Sequence, residues 1–461
     1  MATTTDSPTT DDLHRLDREH CWHPLFQHQQ LEEGDMQLAI IDRAEGSTVY
    51  DKEGRAYLDA YAGLWNVNVG YGREEIATAA YEQLKRLPYY PHSQINEPAT
   101  RLAARLAQLT PGGLRHTFFS NSGSEANETA FKIARQYGQQ RFPTQRRHKI
   151  LSRYRGYHGF TFGAMSATGQ MARRTKFEPL VPGFLHVDPP YCYRCPLHLS
   201  RPDCANACVE EFDEVIRREG PETVAAIIVE PVIGGGGVIL PPEGYLQRLR
   251  QICDEHDVLL IFDEVITGWG RTGRLFGCEH EGVTPDIMVM AKGITSGYQP
   301  LGATIVTDEV FEAFNGEASD RREFAQVCTY GGHPVACAAA LANIEILTRE
   351  KLWENAERVG AKLLAGLAAL SSPLLGDVRG RGLMIAVELI DVQGQLLDVA
   401  TTGRIKASLR EQGILVGQMS HVLQAPESIL FLSPPLVLTD AEAGRIVDAF
   451  RVALAAESAQ P

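Results

Sequence analysis

An acid and an amine each follow a short apolar segment, at positions where both could act on one bound molecule. Asp263 comes directly after the segment Val258 to Phe262, and Lys292 directly after Ile287 to Ala291. Runs of this length, rich in Val and Ile, favour buried strands of a parallel sheet, whose ligands bind beyond the carboxyl ends of the strands. An amine whose pKa is lowered by burial can form a Schiff base with an aldehyde. The pair indicates a cofactor site, although a helix-capping acid and a solvated lysine remain the alternative on these two residues alone.

Further motifs surround this pair in both directions along the chain. They are SNSGSEANETA from Ser120, YRGYHG from Tyr154, FDEVITGWGRTG around Asp263, AKGITSGYQPLGA around Lys292 and TYGGHPVACAAAL from Thr329. Their order and separations, 29 residues from Asp263 to Lys292 and 37 from Lys292 to Thr329, resemble the class III aminotransferases of the fold-type I pyridoxal phosphate family. The resemblance extends from about Trp22 to Phe450. Five motifs in one order are more specific than any one of them.

The resemblance implies an α/β fold with two lobes. The large lobe, residues 66–335, would hold a mixed, mostly parallel seven-stranded sheet between helices and would bind the cofactor. A smaller α+β lobe would combine residues 13–65 with residues 336–461, after a disordered lead over residues 1–12. A chain of 461 residues suits such a division, because domains have roughly 150 residues.

Five residues would contact the reactive part of pyridoxal phosphate by this resemblance. Lys292 would carry the aldehyde and move a proton, and Asp263 would keep the pyridine nitrogen protonated so that the ring acts as an electron sink. Tyr157 would stack on the ring with His158 beside it, and Val265 would pack on the opposite side. Ordinary half-buried packing is the alternative for Tyr157 and His158, whereas strand packing of Val265 is compatible with its cofactor role.

A second group would hold the phosphate. Ser122, Gly123 and Ser124 occupy a predicted turn between a strand and a helix, where free N–H groups and the helix dipole attract an anion; a plain helix cap is the alternative. Glu230, at the end of the predicted strand Val224 to Val229, is also expected in the cofactor site. By resemblance Thr329 would reach the phosphate of a neighbouring subunit, which predicts a homodimer with shared sites, or a tetramer.

Two aromatic residues are candidates for the substrate pocket. Trp65 corresponds to an aromatic pocket wall in relatives that act on amines or ω-amino acids, and packing between lobes is its alternative. Phe26 lies in the segment Leu13 to Gln30, which is expected to pack over another surface. The resemblance implies that this segment lies along the dimer and places Trp22 or Phe26 near the entrance of the substrate pocket. Core packing of these aromatics stays open.

Two departures from family patterns bear on the substrate. Ile233, Gly234 and Gly235 stand where relatives acting on glutamate-type donors often have Gln-Gly-Glu, which predicts a roomier, uncharged pocket. Gly417 to Met419 stand where many pyruvate-using relatives have a mobile carboxylate-binding arginine. Gln418 or His421 would bind a carboxylate more weakly than a bidentate arginine. Uncharged amines are therefore expected to react at least as well as ω-amino acids of equal length.

The predicted reaction moves an amino group from a primary amine or ω-amino acid, of the β-alanine, taurine or alkylamine type, to pyruvate. The products would be alanine and an aldehyde or ketone. A racemase or aminomutase on the same fold needs the same lysine and stays an alternative. A regulator that only binds pyridoxal phosphate is a further alternative, and it would need an added basic DNA-binding module that this chain does not offer.

Composition excludes some classes of function. The 44 basic and 58 acidic residues give a formal net charge of −14, which argues against nucleic-acid binding. No apolar run approaches the roughly 20 residues of a membrane span, and MATTTDSPTTDD lacks the features of a signal peptide. A cytoplasmic location follows as the expectation.

Four of the nine cysteines form one motif. Cys192, Cys195, Cys204 and Cys208 have the spacing C-x2-C-x8-C-x3-C, in which closely paired thiols are typical of structural zinc. The loop between the pairs is shorter than in common zinc ribbons, so a disulfide or reduced packing thiols stay open. No metal is expected in the catalytic site itself.

Periodic patterns predict the elements that must position these residues. Helices are expected over residues 74–87 and 97–109, and a strand over 149–152. A meander of strands is expected over residues 40–61. Towards the end of the chain, one long helix is predicted over residues 340–370, a strand over 379–390, a helix over 405–412, a strand over 430–439 and a last helix from Asp440.

Overall fold

The structure is a computed structural model that describes residues 8–25, 27–32, 38–419, 422 and 428–458. The strands in chain order are β1 (Ile41–Glu45), β2 (Thr48–Asp51), β3 (Ala56–Asp59), β4 (Leu114–Ser120), β5 (Lys149–Arg153), β6 (Phe184–Val187), β7 (Val224–Val229), β8 (Leu259–Asp263), β9 (Ile287–Met290), β10 (Gly302–Thr307), β11 (Leu375–Arg381), β12 (Met384–Leu389), β13 (Ile414–Leu415), β14 (Gly417–Gln418) and β15 (Ile429–Leu432). The helices are α1 (Thr10–His20), α2 (His28–Glu32), α3 (Ala62–Trp65), α4 (Glu74–Arg86), α5 (Glu97–Leu109), α6 (Gly123–Arg141), α7 (Phe162–Ala167), α8 (Met171–Arg174), α9 (Ala207–Glu219), α10 (Tyr245–Glu255), α11 (Asp308–Glu312), α12 (Pro334–Arg349), α13 (Leu352–Ala368), α14 (Val399–Glu411) and α15 (Asp440–Ser458).

The central sheet has seven strands in the order β4-β10-β9-β8-β7-β5-β6. Strand β10 runs antiparallel to both of its neighbours, and the other pairs that adjoin each other are parallel. Every residue of β7, β8 and β9 is buried, because helices cover both faces of a parallel sheet and leave no polar side. The predicted α/β fold with a mixed, mostly parallel seven-stranded sheet is confirmed.

The register of β8 and β9 brings the two predicted catalytic residues to one edge. Asp263 pairs with Val289, and Lys292 follows three residues later, just beyond the end of β9. Because β8 and β9 are parallel neighbours, both side chains leave the sheet at its carboxyl end.

The described residues also form two four-stranded sheets, of which the first joins the beginning of the chain to its later part. One has the order β1-β2-β3-β13, in which Leu58 of β3 pairs in parallel with Ile414 of β13. The other has the order β11-β12-β15-β14. The expected meander over residues 40–61 is confirmed in β1 to β3. The division into lobes at residues 65 and 335 stays a prediction.

Several expected elements have different bounds. The predicted helix over residues 340–370 is wrong as one helix: it is α12 and α13, separated at Lys351, whose φ of 48° is incompatible with a continuous right-handed helix. The predicted strand over 379–390 is the hairpin of β11 and β12, which turns at Gly382. The strand expected over 430–439 is only β15, because Pro434 and Pro435 have no N–H group for a ladder.

The beginning of the described chain also differs from expectation. Helix α1 begins at Thr10, inside the segment expected to be a disordered lead. Thr9 caps it, because its hydroxyl accepts a hydrogen bond from the Asp12 N–H while the Asp12 carboxylate accepts one from the Thr9 N–H. Among the described residues, no helix is both long enough and apolar enough to cross a membrane.

Candidate active site

Lys292 occupies a strained turn directly after β9. Its φ is 47°, in the left-handed region that a residue with a Cβ rarely adopts. Asn343 of α12 fixes this turn, because its buried side-chain amide donates to the carbonyl oxygens of Gly293 at 2.9 Å and Ile294 at 3.0 Å. The strain is therefore imposed by the packing of a helix that lies far away in the sequence.

The side chain of Lys292 lies deep in the protein and lines a cavity. Burial lowers its pKa to about 8, and the negative charges of Asp263 and Glu230 counteract only part of this effect. Roughly a tenth of the amine is then unprotonated at pH 7, a far larger fraction than for an ordinary lysine, and this is the form that a nucleophile or a base requires.

Asp263 is buried, with 3% of its surface exposed, and has three hydrogen-bond donors. Its Oδ2 accepts from the Asn127 amide at 2.8 Å and from Nδ1 of His158 at 2.8 Å, and its Oδ1 accepts from the Val265 N–H at 3.1 Å. Because ring atom Nδ1 faces a carboxylate, it carries the proton. These three hydrogen bonds fix the orientation of the Asp263 carboxylate at the carboxyl end of the sheet.

Glu230 connects Tyr157 to the glycine-rich segment after β7. Its two carboxylate oxygens accept from the N–H groups of Tyr157 at 3.0 Å and Gly234 at 2.8 Å. Burial, together with the nearby charge of Asp263, raises the pKa of Glu230. Glu230 thus positions Tyr157, whose ring lines the same cavity as Lys292.

The first turn of α6 lies against the sheet edge. Ser122 caps the helix, with its hydroxyl accepting from the Glu125 N–H at 3.2 Å. A Cβ at Gly123 would lie 3.1 Å from both methyl groups of Val265, so glycine permits this close approach. The hydroxyl of Ser124 accepts from the Phe160 N–H at 3.1 Å. The N–H groups of the first two helical residues, Gly123 and Ser124, have no acceptor within the helix and are available to an anion.

The cavity that Lys292 lines has a volume of about 1120 Å³. Trp65 forms part of its wall and stacks on Phe431 of β15, with ring centroids 4.4 Å apart and an angle of 9° between the rings. Four successive residues, Ala62 to Trp65, have positive φ values, and this turn directs the indole inward. Trp65 therefore contributes both to packing between the sheets and to the cavity wall.

The two departures from family patterns also lie at this cavity. Gly235 lines it beside Tyr157, and Gly417, Gln418 and Met419 line it from the end of the chain. His421 and Phe26 lie outside the described residues. Pro24 and Leu25 line the cavity, whereas Trp22 is 92% exposed and does not.

Thr329 lies apart from the Lys292 cavity. It is exposed, and its carbonyl oxygen accepts a hydrogen bond from the Tyr89 hydroxyl at 2.8 Å. The neighbouring Val327 is 91% exposed and Tyr330 is 57% exposed. Within this chain, the segment thus presents apolar side chains outward.

Sequence reasoning missed several residues of the site. Asn127 lies one helical turn after Gly123, and this spacing of four residues would have placed both on the same face of the predicted helix. Ile266 and Arg173 line the cavity, the latter with its guanidinium 5.4 Å from the centre of the Tyr157 ring. Lys406 and Arg410 also line it, from α14, and no local signal in the sequence points to them.

The four clustered cysteines lie away from this site. Their thiols are free, and all four line a separate cavity of about 220 Å³. Burial raises the pKa of Cys208 to about 12. Among the described residues, the group of three metal-type ligand atoms that meet within 4.8 Å is Asp213, Glu255 and His256, so the sulfurs do not have zinc-ligating spacing. Of the three alternatives, free thiols are the arrangement that this structure contains.

The family assignment follows from comparison with known proteins. The family model described as aminotransferase class-III matches residues 30–454. An uncharacterized aminotransferase of Bacillus subtilis, YhxA, is 48% identical over 438 residues, which cover 94% of this chain and 95% of that protein. The taurine–pyruvate aminotransferase of Bilophila wadsworthia is 40% identical over 445 residues, covering 95% of each chain. The chain belongs to the class-III aminotransferase family.

Solved structures agree in fold over the whole chain. A Bacillus anthracis aminotransferase has a TM-score of 0.92 at 43% identity, covering 99% of this chain and 100% of that one. An amine transaminase from an uncultivated Pseudomonas species, solved in its PLP-bound form, has a TM-score of 0.88 at 39% identity, covering 95% and 98%. The cofactor of this family is pyridoxal phosphate.

The residues present fit that cofactor. The site contains an amine of lowered pKa, a buried carboxylate held by three donors and a helix start that closely approaches the sheet edge at Gly123. One buried polar atom of the site, Oδ1 of Asn127, has no hydrogen-bond partner among the described residues. A cavity with apolar walls and a few polar groups of this kind suits pyridoxal phosphate, which is a charged aromatic aldehyde.

Proposed function

We propose that this aminotransferase moves an amino group from a primary amine or ω-amino acid to pyruvate, giving alanine and an aldehyde or ketone. The observation that carries the proposal is the placement of Lys292 and Asp263 at the ends of two parallel neighbouring strands, beside a cavity of about 1120 Å³. A relative 40% identical over 95% of the chain acts on taurine and pyruvate, which supports this donor and acceptor class.

We assign the cofactor-holding roles to residues already at the sheet edge. Lys292 would hold pyridoxal phosphate covalently through Nζ, and Asp263 would face the ring nitrogen. Ser122, Gly123 and Ser124 would offer N–H and hydroxyl groups to the phosphate. When bound, the cofactor supplies an electron sink for the pair of electrons left on the donor carbon.

Lys292 has the acid–base role in this proposal. With a pKa of about 8, its Nζ accepts a proton near neutral pH and can return it within one turnover. The oxygens of Asp263 accept from His158, Asn127 and the Val265 N–H, which hold the carboxylate in the orientation in which it would face the ring nitrogen. Tyr157 covers one side of the site and Val265 the other, and Glu230 holds the Tyr157 backbone.

We further propose that the working enzyme is a homodimer, in which Thr329 serves the site of the neighbouring subunit. Thr329 is exposed and lies apart from the Lys292 cavity of its own chain. Exposed Val327 and Tyr330 beside it offer the apolar surface that a partner would cover.

A donor screen tests the reaction. The purified enzyme is supplied with pyruvate and one donor at a time: β-alanine, taurine, a diamine or an n-alkylamine, and alanine is measured. Stoichiometric alanine and carbonyl product from at least one of these donors is expected. A racemase or aminomutase would convert its amine without consuming pyruvate, and that result would reject the proposal.

A further inference from the structure

The cavity that contains Lys292 has an unexpected charge for so acidic a protein. The chain has a formal net charge of −14, yet none of the described residues that line the cavity is acidic. Besides Lys292, the cavity-lining residues Arg173, Lys406 and Arg410 are cationic. A cleft lined by one sign of charge concentrates ligands of the opposite sign.

Lys406 and Arg410 reach the cavity from one face of α14. Gly403, Lys406, Ala407 and Arg410 all line it, and their spacing of three and four residues is that of a single helix face. Gly403 and Ala407 are small, so they leave space between the two cations. Ile405 and Leu409, on the opposite face, are fully buried and hold the helix in this orientation.

Neither cation is neutralised within the described part of the chain. Arg404 of the same helix, by contrast, forms an ion pair with Glu457 at 2.8 Å. The Lys406 amine and the Arg410 guanidinium make no ion pair or hydrogen bond with any described residue. Burial, and then the charge of Arg410, lower the pKa of Lys406. Lys406 is partly buried, whereas Arg410 is exposed. A partly buried cation such as Lys406 is costly without a counter-ion, and an anionic ligand would relieve that cost.

We infer that Lys406, supported by Arg410, binds an acidic group at the far end of the donor, so that the enzyme favours donors with a terminal carboxylate or sulfonate. This inference rests on the proposed function and names its substrate class. It reverses the expectation drawn from the missing arginine near Gly417, because cations from another element face the same cavity. Gln418 and Met419 also line the cavity and would contact the carbon chain of the donor.

Paired donors test the inference. The ratio of kcat/KM for an ω-amino acid to kcat/KM for the n-alkylamine of equal length is measured across a length series, with pyruvate as acceptor. In the wild type this ratio should exceed one and should peak at the length that reaches Lys406. Lys406→Met should lower the peak ratio at least about tenfold, the effect of one charge-assisted contact.

Three further variants separate charge from structure. Lys406→Arg should retain most of the preference, and Lys406→Glu should replace it with a preference for the diamine of the same length. Arg404→Ala removes one positive charge from the same helix outside the cavity and should retain the wild-type ratio. An unchanged ratio in Lys406→Met, while alanine still forms, would overturn the inference and leave the proposed function standing.

A binding measurement needs no turnover. Calorimetry compares hexanoate with hexanol on the wild-type holoenzyme and on Lys406→Met. Hexanoate should bind the wild type more tightly, and this advantage should disappear in the variant. Equal affinities of hexanoate and hexanol for the wild type would overturn the inference, whether or not any donor is a substrate. A failure of all donors to react would reject the proposed reaction alone.

Discussion

Nδ1 of His158 lies 2.8 Å from Oδ2 of Asp263, and the side-chain amide of Asn127 donates to the same oxygen over 2.8 Å. The three residues come from a loop, a strand end and a helix, so their meeting is a property of the tertiary structure. One carboxylate oxygen therefore has two fixed donors. The carboxylate cannot rotate without losing both, which keeps a negative charge at a defined place at the sheet edge.

Asp263→Asn should lower kcat at least about 100-fold, because a neutral amide cannot keep a ring nitrogen protonated. Attachment of the cofactor to Lys292 should persist, as seen by mass spectrometry after borohydride reduction. Asp286→Asn is the matched control: it changes an aspartate at the opposite end of the same sheet, where Asp286 accepts from the Leu260 N–H and from Arg250. Wild-type kcat in Asp263→Asn would contradict the assigned role.

The rate at which added pyridoxal phosphate attaches to the apoenzyme should rise with pH, with its midpoint at a pH of about 8, and then level off. Only the unprotonated amine of Lys292 attacks an aldehyde, and burial lowers its pKa to about 8 from 10.5. The unprotonated fraction therefore grows as pH rises through that value. The visible absorbance of the bound cofactor, followed over time at several pH values, measures this rate. A midpoint near 10.5, that of an ordinary lysine, would show that the amine is not desolvated.

Gly235→Ala should fold and should lower kcat/KM for bulky donors more than for small ones. A Cβ at this position would lie 3.6 Å from the Gln170 amide and 3.7 Å from Cβ of Tyr157, which is ordinary contact that narrows the cavity. Gly236→Ala, one residue later, should instead reduce soluble yield and thermal stability, because its Cβ would overlap the carbonyl oxygen of Arg155. A donor-size series and thermal melts measure the two effects; equal losses for small and bulky donors in Gly235→Ala would argue against this geometry.

Mixed subunits test the role of Thr329. Thr329→Glu should repel a phosphate, and Lys292→Ala should abolish turnover, so each variant alone should be nearly inactive. Co-expressed with different tags, the two chains should form hybrid dimers with one intact site and regain up to about half of the wild-type activity per hybrid dimer. Lys292→Ala mixed with Asp263→Asn is the control: both changes affect residues of one chain's own site, so no activity should return. No gain in the first mixture would place Thr329 outside the partner's site.

The sequence motifs, through their resemblance to a known family, were sufficient to predict the family and the seven-stranded sheet. The position of Asp263 and Lys292 at strand ends depends on local patterns, since a buried parallel strand must be apolar throughout and must end where polar residues begin. The bounds of β7 were predicted without error for this reason. Predictions were wrong where one residue interrupts a periodic pattern, as Lys351 does between α12 and α13.

Only the tertiary structure determined which side chains share the cavity. Trp65 stacks on Phe431, which lies several hundred residues later in the chain. Lys406 lines the same cavity as Lys292, although more than a hundred residues separate them. No local pattern encodes such contacts, because they depend on how β13 pairs with β3 and on how α14 packs beneath that sheet. The sequence thus determined the chemistry at the sheet edge, whereas packing over long distances decided the charge and shape of the space in front of it.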